Sequence, residues 1–280
     1  MMMMRTFVKN VVKHLKRSEV MNKRTVSILG CGWLGLPLGA RLVECGFRVK
    51  GSTRTKNKHH ELKTLGIEPF CIDISKRVNR LQLFLTSDIL IISMNTKSID
   101  DYLYLISEIK QSQIKKVIFI SSTSVYKAEN TEVTEEMPVL NSYLTEQESL
   151  FRTENQFLAT ILRFGGLFGD ERKPGNFIKP NTRIKHPEGV INYIHREDCI
   201  DVLLRILKTN LWNETLNACA DVHPIRRNFF IHEMKKLNKP TPLFDEETPS
   251  IFKRVSNRKC KQLLGATFST SNAYLSESLE

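Results

Sequence analysis

At 280 residues with 41% apolar content, the chain can fill one large α/β core, alone or with a smaller lobe. Its longest apolar runs, such as Ile89 to Ile92, fall far short of the roughly 20 residues a bilayer span needs, so no membrane association is expected. The formal charge of +12 suits an anionic small-molecule ligand as well as nucleic acid. No helix-turn-helix, RNA-binding sheet motif or zinc finger is present, so nucleic acid is not an expected partner.

Four of those twelve charges fall in the first 20 residues, where Arg5, Lys9, Lys13, Lys16 and Arg17 face only Glu19. Phe7, Val8, Val11, Val12 and Leu15 form an apolar stripe beside these bases, as a transit peptide or surface helix would. The expectation is a basic leader, disordered or preceding the natural start at Met21. The six cysteines form no Cys-x-x-Cys pair and no Cys/His cluster of zinc spacing. No metal site is therefore expected, and scattered thiols suit a reducing, cytoplasmic compartment.

Strands and helices alternate from there. Thr25 to Leu29 reads as a buried strand, and Leu34 to Cys45 as a helix with Leu34, Leu38 and Leu42 on one face. Gly46 ends that helix, and Phe47 to Gly51 is the second strand. Arg54 to Lys63 opens the next crossover. Phe70 to Ile74 and Ile89 to Ser93 are the third and fourth strands, and Asp100 to Gln111 is a helix. Lys116 to Ser121 is a fifth strand, Tyr143 to Glu154 a helix and Ala159 to Phe164 a sixth strand. Strands this apolar are buried on both faces, which implies a mostly parallel sheet. From Gly165 to Gly189 glycine, proline and charge dominate. Helices over Arg196–Lys208, Ile225–Leu237 and Asn257–Leu264, a short strand over Glu214–Ala218 and an irregular tail complete the chain. The expected organisation is a nucleotide-binding domain over 21–165 and a smaller substrate lobe over 166–280.

The sharpest local signal is Gly30-Cys31-Gly32-Trp33-Leu34-Gly35, set between the first strand and the first helix. There the first glycine permits a tight turn, the second lets backbone approach a pyrophosphate, and the third lets helix and strand pack closely. Trp33 and Leu34 share the loop and count with Gly30, Gly32 and Gly35 as cofactor-binding. The amides of the helix start would carry the anion. The reading is a doubly wound Rossmann sheet binding a nicotinamide dinucleotide.

The end of the second strand discriminates between NAD and NADP. An acidic residue there bonds the ribose 2′-hydroxyl of NAD. This chain has Gly51-Ser52-Thr53-Arg54-Thr55-Lys56 instead. Ser52 and Arg54 suit a 2′-phosphate, which a guanidinium binds bidentately, so NADP is the expected cofactor, with NAD the alternative. Asp73 is a candidate acceptor for the adenine amine or a turn cap. Ser93, Met94 and Asn95, at the end of the fourth strand, are expected along the cofactor.

Ser121-Ser122-Thr123-Ser124-Val125-Tyr126 resembles the S-S-x-x-V-Y-G segment of extended short-chain dehydrogenases/reductases, the NAD(P)-dependent epimerases and dehydratases. Leu162 to Gly169, Tyr193 to Asp198, Thr215 to Ala218, and Arg254 to Asn257 with Leu263-Leu264-Gly265 resemble later segments of that family. The resemblance covers Met21 to about Phe268. It implies that Ser122 orients a substrate oxygen and that a tyrosine, helped by a lysine four residues on, moves the proton. Here the candidate is Tyr143, and Gln147 stands where the lysine would be. Lys127 is a possible substitute cation.

Tyr126 is expected beside the nicotinamide or in the core, and His195 as a hydrogen-bonded contact rather than a base. Arg172, Lys173 and Arg254 either meet an anionic substrate group or are surface charge. The resemblance implies an oxidoreductase or epimerase acting on a hydroxyl or carbonyl, of a nucleotide-linked sugar for instance, and a homodimer. The lost lysine leaves a non-catalytic dinucleotide-binding regulator or scaffold as the alternative.

Overall fold

The computed structural model describes residues 24–77, 81–179 and 181–279. The basic leader expected over the first 20 residues lies outside them. Among the described residues no helix is long and apolar enough to cross a membrane.

The elements in chain order begin with β1 (Thr25–Leu29), α1 (Gly35–Glu44), β2 (Arg48–Thr53), α2 (His59–Thr64), β3 (Glu68–Cys71), α3 (Leu81–Phe84), β4 (Ile89–Ile92) and α4 (Ile99–Lys110). They continue with β5 (Lys116–Ser122), β6 (Thr131–Val133), α5 (Tyr143–Arg152), β7 (Leu158–Phe164), β8 (Gly166–Phe168), β9 (Tyr193–His195) and α6 (Arg196–Thr209). Last come β10 (Thr215–Ala218), α7 (Arg226–Lys236), β11 (Lys253–Val255), α8 (Arg258–Leu264) and α9 (Ser269–Ser276).

Seven strands form one parallel sheet in the order β10-β7-β5-β4-β1-β2-β3, the Rossmann arrangement. Val26, Ile28, Ile89 to Ile92 and Val117 to Phe119 are buried, as strands covered on both faces must be. The chain turns to one side after β1 and to the other after β4, although these strands are neighbours with Leu29 beside Ile92. Their following loops therefore diverge and leave a crevice at the carboxyl ends.

Two compact units divide the chain. One runs to Phe119 and includes Thr153–Ala159; the other comprises Ile120–Arg152 and Thr160–Glu280. In the first, Leu38 and Leu42 of α1 and Tyr102 of α4 are wholly buried, with Tyr102 edge-on to Phe119 at 5.5 Å. In the second, Phe168, Ile191, Phe229, Phe230 and Leu275 share one core cluster. Tyr126, Val133 and Val255 share another, beneath the β6–β11 pair.

Several segments differ from expectation, among them the unforeseen pair of short strands β6 and β11. β3 begins at Glu68 and ends at Cys71, not Ile74. The Asp73 carboxylate accepts from the Ser75 amide and starts a 3-10 turn that draws the chain off the sheet. β3 lies at the sheet edge, where Pro69 is tolerated. The tail contains α9, whose polar sequence buries only Ser271 and Leu275 and so shows no apolar stripe. The glycine-rich stretch contributes β8, paired with β9.

Candidate functional site

The glycine loop begins where β1 ends. Gly30 has φ +106°, a backbone state that glycine adopts freely. A Cβ at Gly35 would lie 2.2 Å from the Gly30 carbonyl oxygen, so only glycine lets α1 start this close to β1. A Cβ at Gly32 would meet nothing within 4 Å. That glycine presents bare backbone to open space. No side chain caps α1, and no acid stands in its first turn. This is the electrostatic state an anion at a helix start requires.

The open space is a cavity of about 680 Å³ within the first unit. Gly30 and Gly32 line it, as do Ser52 and Arg54 from the end of β2. Asp73 lines it after β3, and Ser93, Met94 and Asn95 after β4. Trp33, Leu34 and Gly35 do not line it. Leu34 is buried at the N-cap of α1, Gly35 sits against Gly30, and Trp33 is half-buried.

Ser52 is only 1% exposed, and its Oγ accepts from the Gly30 amide at 3.0 Å. Its hydroxyl thus holds the glycine loop, while Arg54 is exposed at the cavity wall. Thr55, Asn57 and Lys58 also line the cavity. Sequence reasoning missed them because a 3-10 turn over Lys56–Lys58 follows β2 directly; the basic run was visible, but its geometry was not. Asp73 accepts from the Ser75 hydroxyl at 2.7 Å, which lowers its pKa and keeps it an acceptor. Thr96 and Asp101, also in the lining, bond one another at 2.8 Å. Burial pushes the Cys31 thiol up to about 12, so the loop presents no thiolate at neutral pH.

Ser122 and Tyr143 belong to the second unit. The Ser122 Oγ accepts from the Ser124 amide at 3.1 Å and caps a 3-10 turn over Thr123–Val125. Tyr143 opens α5 and is 40% exposed. Gln147, one turn on, is fully buried. Lys127, the other candidate cation, reaches Glu129 at 2.6 Å.

A buried network ties β5, α5 and β7 together. Arg163 of β7 meets Glu148 of α5 through Nη2–Oε2 at 2.5 Å and Nε–Oε1 at 3.0 Å. The Ser121 hydroxyl donates to Glu148 at 2.5 Å, and Arg163 donates to the Tyr126 hydroxyl at 2.7 Å. Tyr126 in turn donates to Asn217 at 2.9 Å. Tyr126 is thus a core aromatic; burial raises its pKa, and its hydroxyl is spent on structure.

The family described as NAD(P)H-binding matches residues 30–210, from the first glycine of the loop through α6. The chain belongs to this family. The NAD(P)H-binding chain is also similar to Protein YeeZ of Escherichia coli strain K12, with 31% identity over 238 residues, 79% of this chain and 86% of that protein. Its fold is that of a UDP-glucuronic acid 4-epimerase from Bacillus cereus crystallised with UDP-glucuronic acid and NAD. The TM-score is 0.71 and identity 17%, over 90% of this chain and 99% of the epimerase. A short-chain dehydrogenase/reductase superfamily protein from Agrobacterium tumefaciens with bound NAD gives TM-score 0.71 and 14% identity, over 91% and 98% of the two chains. The expected membership of a dinucleotide-binding family and the Rossmann fold are borne out.

His195 of the NAD(P)H-binding chain is the N-cap of α6. Its Nδ1 accepts from the Glu197 amide at 3.2 Å, and its ring stands edge-on to Phe168 at 5.2 Å. It lines a second cavity, of about 190 Å³, with Arg172 and Lys173. Arg254 lines a third, of about 350 Å³.

Proposed function

We propose that this chain is an NADP(H)-dependent oxidoreductase or epimerase-like enzyme acting on a hydroxyl or carbonyl of a small anionic substrate. One observation carries the choice of cofactor. Where an NAD-selective loop has a carboxylate after β2, this cavity has Arg54 and Lys58. A 2′-phosphate would meet two cations there, and a bidentate guanidinium is the stronger. Bare backbone at Gly32 suits a diphosphate, because a side chain would fill that cradle.

When bound, the nicotinamide would supply a hydride donor or acceptor. The rest falls to this chain's own groups. The Ser122 oxygen accepts from the Ser124 amide, which leaves its own proton to donate to a substrate oxygen. Tyr143, exposed at the start of α5, is the candidate to pass the proton. The solved epimerase of similar fold was crystallised with a nucleotide sugar, which makes that substrate class the first to test.

One observation favours a second reading. Gln147 is neutral and fully buried, so it provides no cation to favour a phenolate on that turn of α5. A dinucleotide-binding regulator without turnover would carry the same cavity. Fluorescence titration with NADPH and NADH, followed by absorbance assays over nucleotide sugars and small carbonyl compounds, separates the two. Turnover abolished by Ser122→Ala supports the enzyme. Tight NADPH binding without turnover on any substrate supports the regulator. Absence of binding by either dinucleotide removes both.

A further inference from the structure

Glu132 of β6 is the register partner of Arg254 on β11, and Asp221 and His223 follow β10. These four residues line the third cavity, which lies wholly within the second unit. Its charges do not cancel. Glu132 pairs with Arg258 at 3.3 Å, and Asp221 with Lys261 at 2.8 Å. Asp221 is held further by Asn257 at 3.0 Å and Asn272 at 2.9 Å, so both its oxygens are engaged. Arg254 forms no ion pair among the described residues, and its side chain is exposed in the cleft.

The His223 ring is pinned beside it. Nδ1 lies 3.2 Å from the Ile191 carbonyl oxygen. A carbonyl only accepts, so Nδ1 carries the proton and Nε2 is the nitrogen left to change state. The backbone under Arg254 is equally fixed: the Val255 amide donates to Asn192 at 2.8 Å and the Ser256 amide to the Val133 carbonyl at 2.9 Å.

We propose that this cleft binds an oxyanion, a phosphate or carboxylate group, on the Arg254 guanidinium, with His223 drawing a proton from solvent at Nε2 to add a second charge-assisted hydrogen bond. An unengaged guanidinium matches either anion bidentately. Burial and Arg254 hold the imidazole neutral in the free protein, while Asp221 and Glu132 work against them. A bound anion shifts that balance towards the cation, so affinity rises as pH falls. As a substrate subsite the cleft rests on the oxidoreductase reading; as an anion site it stands without it.

Calorimetry on the full chain at constant ionic strength, with chloride as control, tests the proposal. Sulfate serves as the tetrahedral probe and acetate as the carboxylate one, both of constant charge across the range used. Saturable uptake of either probe is expected, and which one binds identifies the oxyanion. Arg254→Ala should weaken it about tenfold or more. Glu132→Gln, which removes a competing carboxylate, should strengthen it severalfold. His223→Asn should leave uptake at about pH 8 unchanged and abolish its rise towards about pH 6. Arg54→Ala, in the other cavity, removes any probe held there and should leave the Arg254-dependent uptake in place. Uptake no greater than that of chloride, or uptake undiminished in Arg254→Ala, overturns the proposal. NADPH titration of the same samples keeps the readings apart, since loss of NADPH binding alone would sink only the proposed function.

Discussion

Ser52 holds Gly30 and the residue after it: its hydroxyl accepts the Gly30 amide at 3.0 Å, and its carbonyl accepts the Cys31 amide at 2.7 Å. The end of β2 therefore fixes the loop that follows β1. Ser52→Ala leaves a part-buried amide without its acceptor, a loss of about 1–3 kcal/mol. The expected result is a lower unfolding midpoint together with weaker NADPH binding, read by thermal denaturation and fluorescence titration. Unchanged affinity would show that the loop keeps its shape without this bond.

Gly32 and Gly35 should respond in opposite ways to the same substitution. In Gly32→Ala the added methyl enters open space, so the folded state is left alone and dinucleotide binding suffers. In Gly35→Ala it lies 2.2 Å from the Gly30 oxygen, and backbone must move. Overpacking of this kind costs about 1–3 kcal/mol or more. Denaturant unfolding should separate them: near-parental stability for the first, a clear loss for the second. Equal losses of stability would mean that Gly32 too is needed for the turn itself.

These contrasts mark how far the sequence is legible. The three glycines carry a strong local pattern and stand between β1 and α1, and the apolar strands other than β3 fall within a residue or two of their patterns. Lys58 and Asn57 carried no such pattern; a single 3-10 turn brings them to the cavity. Arg163 and Glu148 were harder still. A charged residue is read as exposed, yet these two are 2% and 3% accessible because each answers the other. α9 was invisible for the opposite reason. Tertiary contacts, among them the Asp198 carboxylate on the Ser271 amide at 2.6 Å, hold a segment with little helical periodicity of its own.

Cofactor preference should lie in Arg54 and Lys58. A charge-assisted bond to a 2′-phosphate is worth about 1.5–3 kcal/mol, and NADH has no group to receive it. Arg54→Ala should therefore weaken NADPH by about tenfold or more while leaving NADH nearly unchanged. Adding Lys58→Ala should narrow the ratio further. Parallel titrations with both dinucleotides decide it, and an equal loss for the two would place Arg54 on a phosphate they share.

The Arg163–Glu148 pair is enclosed, so breaking it should cost far more than a surface ion pair. Glu148→Gln strands a buried guanidinium, and losses of about 3–5 kcal/mol are usual in that situation. The double change Glu148→Leu with Arg163→Met removes both charges and should lose less than the two single losses added together. A double-mutant cycle by urea unfolding gives the coupling directly. Additive losses would mean that the pair is held by Ser121 and Tyr126 rather than by each other.

His195 should make stability depend on acid. Its Nδ1 accepts the Glu197 amide, which requires a lone pair that protonation destroys. Burial lowers its pKa, against the opposing pull of Asp198 and Glu197. The unfolded chain then takes up the proton first as pH falls below about 6.5, the ordinary histidine value. The contribution of the neutral cap is thus complete above that pH and is lost as pH drops through the lower, folded value. His223 is shifted in the same direction, so the informative quantity is the difference between variant and parent. Asparagine at position 195 still accepts the amide and does not titrate. His195→Asn should match the parent near about pH 8 and lose less stability on acidification to about pH 5, followed by thermal unfolding across that range. Superimposable pH curves for the two proteins would show that folding leaves the proton affinity of His195 unchanged.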